Sequence, residues 1–125
     1  MTPLLFLFVC VFGSLGAQCR WQLDLYLKKC RAKRTPQWGI GVVNLLGCTC
    51  AGALAGILAP NAPLFFLLST GFLGGFTTFS TAVLDAVMLL SRRRYLSAAG
   101  LVLGVWLGGS ILAICAFLLT SSFAM

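Results

Sequence analysis

An apolar segment between Leu64 and Leu90 carries residues that a membrane helix rarely holds together. It contains Gly71-Phe-Leu-Gly-Gly-Phe-Thr-Thr-Phe-Ser-Thr81, in which a glycine pair is followed by four hydroxyl side chains. Glycine and threonine are weak helix formers, and in hydrocarbon every backbone N–H and C=O needs a partner within the protein. The segment therefore predicts a helix that is broken at Gly74-Gly75 and enclosed by other helices, where it forms a site.

The composition is that of an integral membrane protein. Of 125 residues, 60% are hydrophobic and 9% are charged, and the mean hydropathy is +1.02. Because a crossing takes about 20 apolar residues, we expect one all-α membrane domain, residues 1–125, with spans near 3–23, 38–58, 64–90 and 95–123. The first apolar run is similar to a signal peptide, but no Lys or Arg precedes Arg20, which favours a retained span.

The Lys and Arg residues lie in two places, between Arg20 and Arg34 and at Arg92–Arg94, and they give a net charge of +7. Both places fall on one side of a chain with four spans, whereas the turn at 59–63 and both termini carry no Lys or Arg. The positive-inside rule then predicts that both termini are extracellular. We expect the basic residues to contact anionic membrane lipids, and expect no nucleic acid partner.

Catalytic and metal-ligating side chains are nearly absent. The chain has no histidine, its only acids are Asp24 and Asp85, and its six cysteines follow no disulfide or zinc spacing. A proton relay, a carboxylate metal site and a nucleophile with its base all lack the residues that they need. We therefore expect no enzyme activity, and expect either transport or a structural role in the membrane.

Two polar side chains outside the third span are candidates for the same site. Asn44 lies among Val and Leu in the second span, and it shares a helix face with Gly52 and Gly56 that permits close packing. This amide either joins helices by a hydrogen bond or has a functional role, and the sequence favours neither. Ser110 in the fourth span either faces the site or, as we favour, bonds the carbonyl four residues earlier in its own helix.

Three motifs resemble those of the CrcB/Fluc family of fluoride channels. Gly13-Ser-Leu-Gly-Ala-Gln-Cys-Arg-Trp21 is similar to the first-helix pattern of that family, and Val43-Asn44-Leu-Leu-Gly47 is similar to its second-helix pattern. Gly71 to Thr81 is similar to its Gly-Phe-x-Gly-Gly-x-Thr-Thr-Phe-Ser-Thr motif, which is the most specific of the three. The resemblance runs nearly from end to end of the chain.

The resemblance implies a channel of the bacterial plasma membrane that exports fluoride passively and lowers fluoride toxicity. Its fold would be a four-helix subunit with a broken third helix, paired antiparallel with a second subunit to enclose two narrow pores. The positions that match the donors of the ion pathway are Asn44, Phe79, Ser80, Thr81 and Ser110. Phe79 would present a ring edge to the fluoride ion, and the others an amide or hydroxyl hydrogen.

The resemblance also implies a cofactor. The backbone carbonyls of Gly74 and Thr77, contributed by both subunits, would hold a structural Na⁺ ion at the centre of the dimer. Arg20 would lie near the cytoplasmic end of the first helix and anchor it there.

The chain departs from the family pattern at three positions. Ala82 stands where a second Phe is usual, Ile40 where Thr is frequent, and Asp85 where Glu is usual. One ring edge and one hydroxyl are therefore missing from the pathway residues of this subunit. Asp85 would pair with the nearby arginines, or it would act in ion entry.

The one-sided charge bears on the partner. A subunit that pairs with itself antiparallel must insert both ways round, which requires Lys and Arg in balance on the two faces. We therefore expect a heterodimer with a paralogous subunit of opposite orientation, with a homodimer as the alternative.

Two rival functions remain: a non-conducting subunit that completes a partner's pore, and a four-helix cation or drug exporter. The exporter needs an acid in an early span, and we expect Asp24 at the edge of a loop instead.

Overall fold

Helices alone make up the regular structure of the part of the chain that this computed structural model describes, residues 2–31 and 39–124. They are α1 (Pro3–Arg31), α2 (Gly39–Ile57), α3 (Pro63–Phe65), a π-helix (Phe66–Leu73), α4 (Gly74–Phe76), α5 (Phe79–Ser91) and α6 (Tyr95–Ala124). Four stretches are long and apolar enough to cross a membrane, and the third of them runs over residues 63–91. The prediction of an all-α membrane protein with four spans is confirmed.

The first helix is longer than the span that the sequence predicts. α1 passes residue 23 and ends at Arg31, because residues 20–31 contain neither glycine nor proline. Arg20 is therefore well inside the helix, farther from the helix end at Arg31 than predicted, and the cytoplasmic location of that end stays a prediction. The predicted start of the second span at Trp38 lies outside the described residues.

The third span is interrupted one turn after the predicted place. Gly74 is helical, with φ −60° and ψ −36°, and Gly75 continues the same turn. Thr77 and Thr78 are extended, with φ/ψ of −87°/155° and −150°/130°. The prediction of a break at Gly74-Gly75 is therefore wrong in position. Although glycine is a weak helix former, both glycines are helical here, and the missing side chain of Gly75 permits close packing against the backbone of Gly13.

Glycines bring α1 into backbone contact with the first half of the third span, residues 63–76. A Cβ added at Gly75 would fall on the carbonyl of Gly13, and one added at Gly16 would fall on the carbonyl of Phe72. The π-helix lies in this contact, with Gly71 against the backbone of Val9. π-helical segments are rare and are frequent at functional sites. α1 and residues 63–76 thus form one closely packed pair.

α2 and α6 form a second close pair. A Cβ added at Gly52 would fall on the backbone of Ala113, and Thr120 Oγ1 lies 3.2 Å from the carbonyl oxygen of Ala53. α5 joins this pair through a buried cluster that it shares with α6: Ala86, Leu89, Ala98 and Leu101. The two halves of the third span therefore belong to different packed units, and the break at Thr77 and Thr78 lies between them.

We expect Gly75→Ala to destabilise the chain by about 1–3 kcal/mol, the usual effect of overpacking. The added methyl group meets the backbone of Gly13, which cannot move without α1. Thermal unfolding in detergent measures the change. Gly104→Ala is the matched control, because nothing lies within 4 Å of a Cβ at Gly104, and its higher helix propensity keeps the midpoint equal or raises it. Equal midpoints for the two variants would contradict this packing.

Candidate functional site

The break in the third span is bonded by a side chain from another helix. Asn44 Nδ2 donates to the carbonyl of Thr78 over 2.8 Å, and the N–H of Thr78 donates to Asn44 Oδ1 over 2.9 Å. The amide of Asn44 thus pairs with the extended backbone as a neighbouring strand would. Asn44 is only 9% exposed, so both partners are satisfied away from lipid. Of the two interpretations of Asn44, the hydrogen bond between helices is present, and it holds the break in the third span, so the functional role stays a prediction.

A second side chain reaches the break from α1. Arg20 Nη1 donates to the carbonyl of Thr77 over 3.4 Å, a long hydrogen bond from a half-buried guanidinium. A positive charge therefore lies within the bundle at the depth of the break. This depth could not be predicted from the sequence, because it depends on α1 continuing to Arg31 and on where the third span opens.

A cavity of about 820 Å³ lies beside the break. Its walls come from α2, the break, α5 and α6, and its polar or aromatic lining residues are Asn44, Thr77, Thr78, Phe79, Trp106 and Ser110. Phe79 is 84% exposed and Trp106 is 68% exposed, so this wall lies at the surface of the single chain. The cavity brings together three of the five predicted pathway residues. Trp106 was missed by the sequence reasoning, although its spacing of four from Ser110 places both on one helix face.

The predicted hydroxyl donors are placed differently from one another. Ser110 Oγ lines the cavity and donates to the carbonyl of Trp106 over 2.9 Å, which is the bond within its own helix that we favoured. Ser80 and Thr81 are not among the cavity-lining residues. Ser80 Oγ lies 3.2 Å from Thr78 Oγ1, with either atom able to donate. Ser110 must therefore rotate before its hydrogen can reach an ion in the cavity.

Gly74 and Thr77, the predicted sodium ligands, both line the cavity. Because the N–H of Thr78 donates to Asn44, it does not serve the carbonyl of Gly74, its usual helical partner four residues earlier. Gly74 is exposed, and a Cβ there would meet only the carbonyl of Ser69, at 3.8 Å. Carbonyl oxygens are suitable ligands for a hard monovalent cation. The carbonyl of Gly74 thus suits a Na⁺ ion whose shell is completed from outside this chain, whereas the carbonyl of Thr77 also accepts a hydrogen bond from the Arg20 guanidinium.

Ala82 and Ile40, two of the positions that depart from the family pattern, lie in different surroundings. Ala82 lines the cavity beside Phe79, so a missing ring there leaves open space in the cavity. Ile40 is 3% exposed at the start of α2, and it is not among the lining residues. Of these two departures from the family pattern, only the one at Ala82 changes the lining of the cavity.

Both acids of the chain are buried. Asp24 is 8% exposed and Asp85 is 6% exposed, and Asp24 Oδ2 lies 2.6 Å from Lys28 Nζ. The expected place of Asp24 at a loop edge is wrong, because α1 continues beyond it. Within residues 2–31 and 39–124, Asp24 Oδ1 and Asp85 Oδ2 have no hydrogen-bond partner, and no arginine forms an ion pair with Asp85. The expected pairing of Asp85 with nearby arginines is therefore not found in the described part of the chain.

Comparison with known proteins identifies the family. Residues 7–118 match the family model described as "CrcB-like protein, Camphor Resistance (CrcB)". "Fluoride-specific ion channel FluC 3" of Bifidobacterium longum (strain NCC 2705) is 40% identical over 94% of this chain and 99% of that protein. "Fluoride-specific ion channel FluC" of Dichelobacter nodosus (strain VCS1703A) is 41% identical over 90% of each chain. "Fluoride-specific ion channel FluC 1" of Leifsonia xyli subsp. xyli (strain CTCB07) is 38% identical over 90% of this chain and 93% of that protein. With its three motifs, its four spans and relatives matched over nearly their whole length, this chain belongs to the CrcB family.

Proposed function

We propose that this chain is a subunit of a fluoride-selective passive channel that exports fluoride across the plasma membrane of a bacterium and lowers fluoride toxicity. The observation that carries the proposal is the cavity at the break, where Asn44, Phe79 and Ser110 converge. The relatives named as fluoride-specific channels support it over most of the chain. Ion transport by a channel requires no catalytic residue, so the chain is not an enzyme.

Neutral donors suit the passage of fluoride. The ion is small and strongly hydrated, so a pore must replace its water by hydrogen-bond donors without holding it too tightly. The amide nitrogen of Asn44 has two hydrogens, of which one is bonded to Thr78, and the second is available to an anion. The positively polarised edge of the Phe79 ring also attracts an anion, but more weakly than an N–H group does. A membrane potential that is negative inside favours anion efflux by about 2.3 kcal/mol per charge for each 100 mV.

A second subunit is needed to close this path. The cavity wall that includes Phe79 and Trp106 is exposed in the single chain, and lipid cannot satisfy the polar groups behind it. An antiparallel partner that presents its own third span to this wall would enclose the ion path. The same contact would bring carbonyls of the partner to those of Gly74 and Thr77 around a structural Na⁺ ion.

The partner that we propose is a paralogous subunit with the opposite orientation. All Lys and Arg of this chain lie in residues 20–34 and 92–94, which favours a single orientation in the membrane with both termini outside the cell. The numbered names FluC 1 and FluC 3 among the relatives fit organisms that hold more than one such chain. Ala82 fits a pair in which one pore is degenerate and the other conducts.

The two rival functions have less support. A proton-coupled exporter needs a carboxylate that is free to exchange protons along its substrate path. Asp24 is in α1 but is ion-paired with Lys28, and neither acid lines the cavity. A non-conducting subunit that only completes a partner's pore would leave the cavity of this chain unused. Measurement of fluoride flux with and without the partner distinguishes the fluoride channel from both rivals, the exporter and the non-conducting subunit.

Proteoliposomes that contain this chain with its partner are expected to release fluoride and to retain chloride. Asn44→Ala should lower fluoride flux at least about tenfold, because it removes an ion donor and also leaves the Thr78 N–H and C=O unbonded. Thr49→Ala is the matched control in the same helix, since within the described ranges the Thr49 hydroxyl bonds the carbonyl of Leu45 in its own helix and does not line the cavity. Chloride release as fast as fluoride release, or no release of either, would contradict the proposal.

Removal of sodium tests the proposed cation. We expect the assembled channel to unfold at a lower temperature and to lose flux when Na⁺ is replaced by N-methyl-D-glucamine, a cation too large for a shell of carbonyls. Return of Na⁺ should restore both properties. A channel that keeps its stability and flux in sodium-free buffer would show that the Gly74 and Thr77 carbonyls hold no essential ion.

Expression of the chain alone tests the assembly. Site-specific labelling of both termini from outside intact cells should label every molecule, and the cells should gain fluoride resistance only when the partner is also expressed. Partial labelling together with resistance in the absence of a partner would instead identify a homodimer with dual topology.

A further inference from the structure

The turn between α5 and α6 has a backbone that usually requires glycine. α5 ends at Ser91, the N–H of Arg93 donates to the carbonyl of Leu90, and the N–H of Arg94 donates to the carbonyl of Leu89, each over 2.9 Å. This pair of bonds is the Schellman motif, whose C′ residue is left-handed and most often glycine. Here Arg93 occupies it with φ 55°, the only positive φ of a non-glycine residue among the described parts of the chain. An arginine thus occupies a position where glycine would relieve backbone strain.

The chain itself does not neutralise the arginine turn, residues 92–94. All three arginines are exposed, and among the described residues the one ion pair joins Lys28 to Asp24. Asp85, the other acid of the sequence, is buried and has no arginine ion pair there. The negative end of the α5 helix dipole attracts basic side chains, but Arg92 and Arg94 already flank this helix end. The dipole therefore does not explain why an arginine takes the left-handed conformation at position 93. The concentration of charge therefore points to an anion from outside the chain.

Neighbouring side chains indicate which kind of anion this is. Directly after the turn, Tyr95 is 63% exposed and Leu96 is 91% exposed, and Leu90 just before it is 46% exposed. Apolar and amphipathic side chains beside a cluster of arginines are typical of the boundary between acyl chains and headgroups. A lipid can contact both surfaces at once, whereas free phosphate contacts only the charges.

We propose that Arg92, Arg93 and Arg94 form a binding site for the phosphate of an anionic phospholipid, whose acyl chain lies against Leu90 and Leu96. The forked guanidinium groups match the oxygens of a phosphodiester, which favours arginine over lysine at this turn. The site does not depend on the proposed channel function, since its ligand and its test involve no ion flux.

Arg93→Gly separates the backbone strain of this turn from its affinity for lipid. In detergent without lipid, we expect the variant of the full-length chain to unfold at a higher temperature than the parent, because glycine accepts the left-handed conformation. Its affinity for phosphatidylglycerol, measured by native mass spectrometry and by lipid-induced thermal stabilisation, should fall about fivefold, the effect expected for one basic residue near a membrane surface.

The controls decide between specific and general attraction. Lys29→Gln removes one exposed charge near the end of α1 and should lower the phosphatidylglycerol affinity clearly less than Arg93→Gly does. Arg93→Lys keeps the charge without the fork and should give an intermediate affinity. Phosphatidylcholine and inorganic phosphate should not stabilise the parent chain. The proposal is overturned if Arg93→Gly keeps full affinity, if Lys29→Gln loses as much, or if inorganic phosphate stabilises the chain as phosphatidylglycerol does.

Discussion

The two hydrogen bonds between the Asn44 side chain and the backbone of Thr78 are the interaction on which the site depends. An extended residue inside an apolar bundle leaves an N–H and a C=O without helical partners, and each would cost several kcal/mol in lipid. A primary amide is well suited to this place because it donates and accepts in one plane, as a peptide group does. Without it, the third span would either become a continuous helix or expose its backbone.

The same amide links structure to selectivity. One hydrogen of its nitrogen bonds Thr78, which leaves the other for an ion in the cavity. Arg20 adds a positive charge on the far side of the break through the carbonyl of Thr77, and it is not among the cavity-lining residues. In the proposed channel, neutral donors at the cavity and a charge at a distance would together attract an anion. This combination would favour passage over tight binding.

Packing around the break divides the chain into two units. Glycine contacts join α1 to residues 63–76, and small residues join α2 to α6, which also carries α5. The break is the covalent connection between the units within the third span. Its wall of Phe79, Trp106 and Ser110 is exposed in the single chain, which is why we propose that a second subunit encloses it. In that proposal the one-sided positive charge would set the orientation in which this wall meets the partner.

The sequence alone determined the class of the protein, because hydropathy, the four spans and the absence of catalytic side chains follow from composition and are insensitive to packing. It also predicted that the segment of residues 71–81 is enclosed by other helices, since a stretch so weak in helix formers needs protein around it. Only the tertiary structure decided where that segment opens. Gly74-Gly75 and Thr77-Thr78 are both poor helical pairs, and the choice between them depends on α1 packing against Gly75 and on Asn44 reaching Thr78. For the same reason, the sequence alone left three features open: the depth of Arg20, the burial of Asp24 and the hydrogen bond of Ser110. Each depends on a neighbour that is distant in the chain or on a choice of rotamer, and a local pattern contains neither.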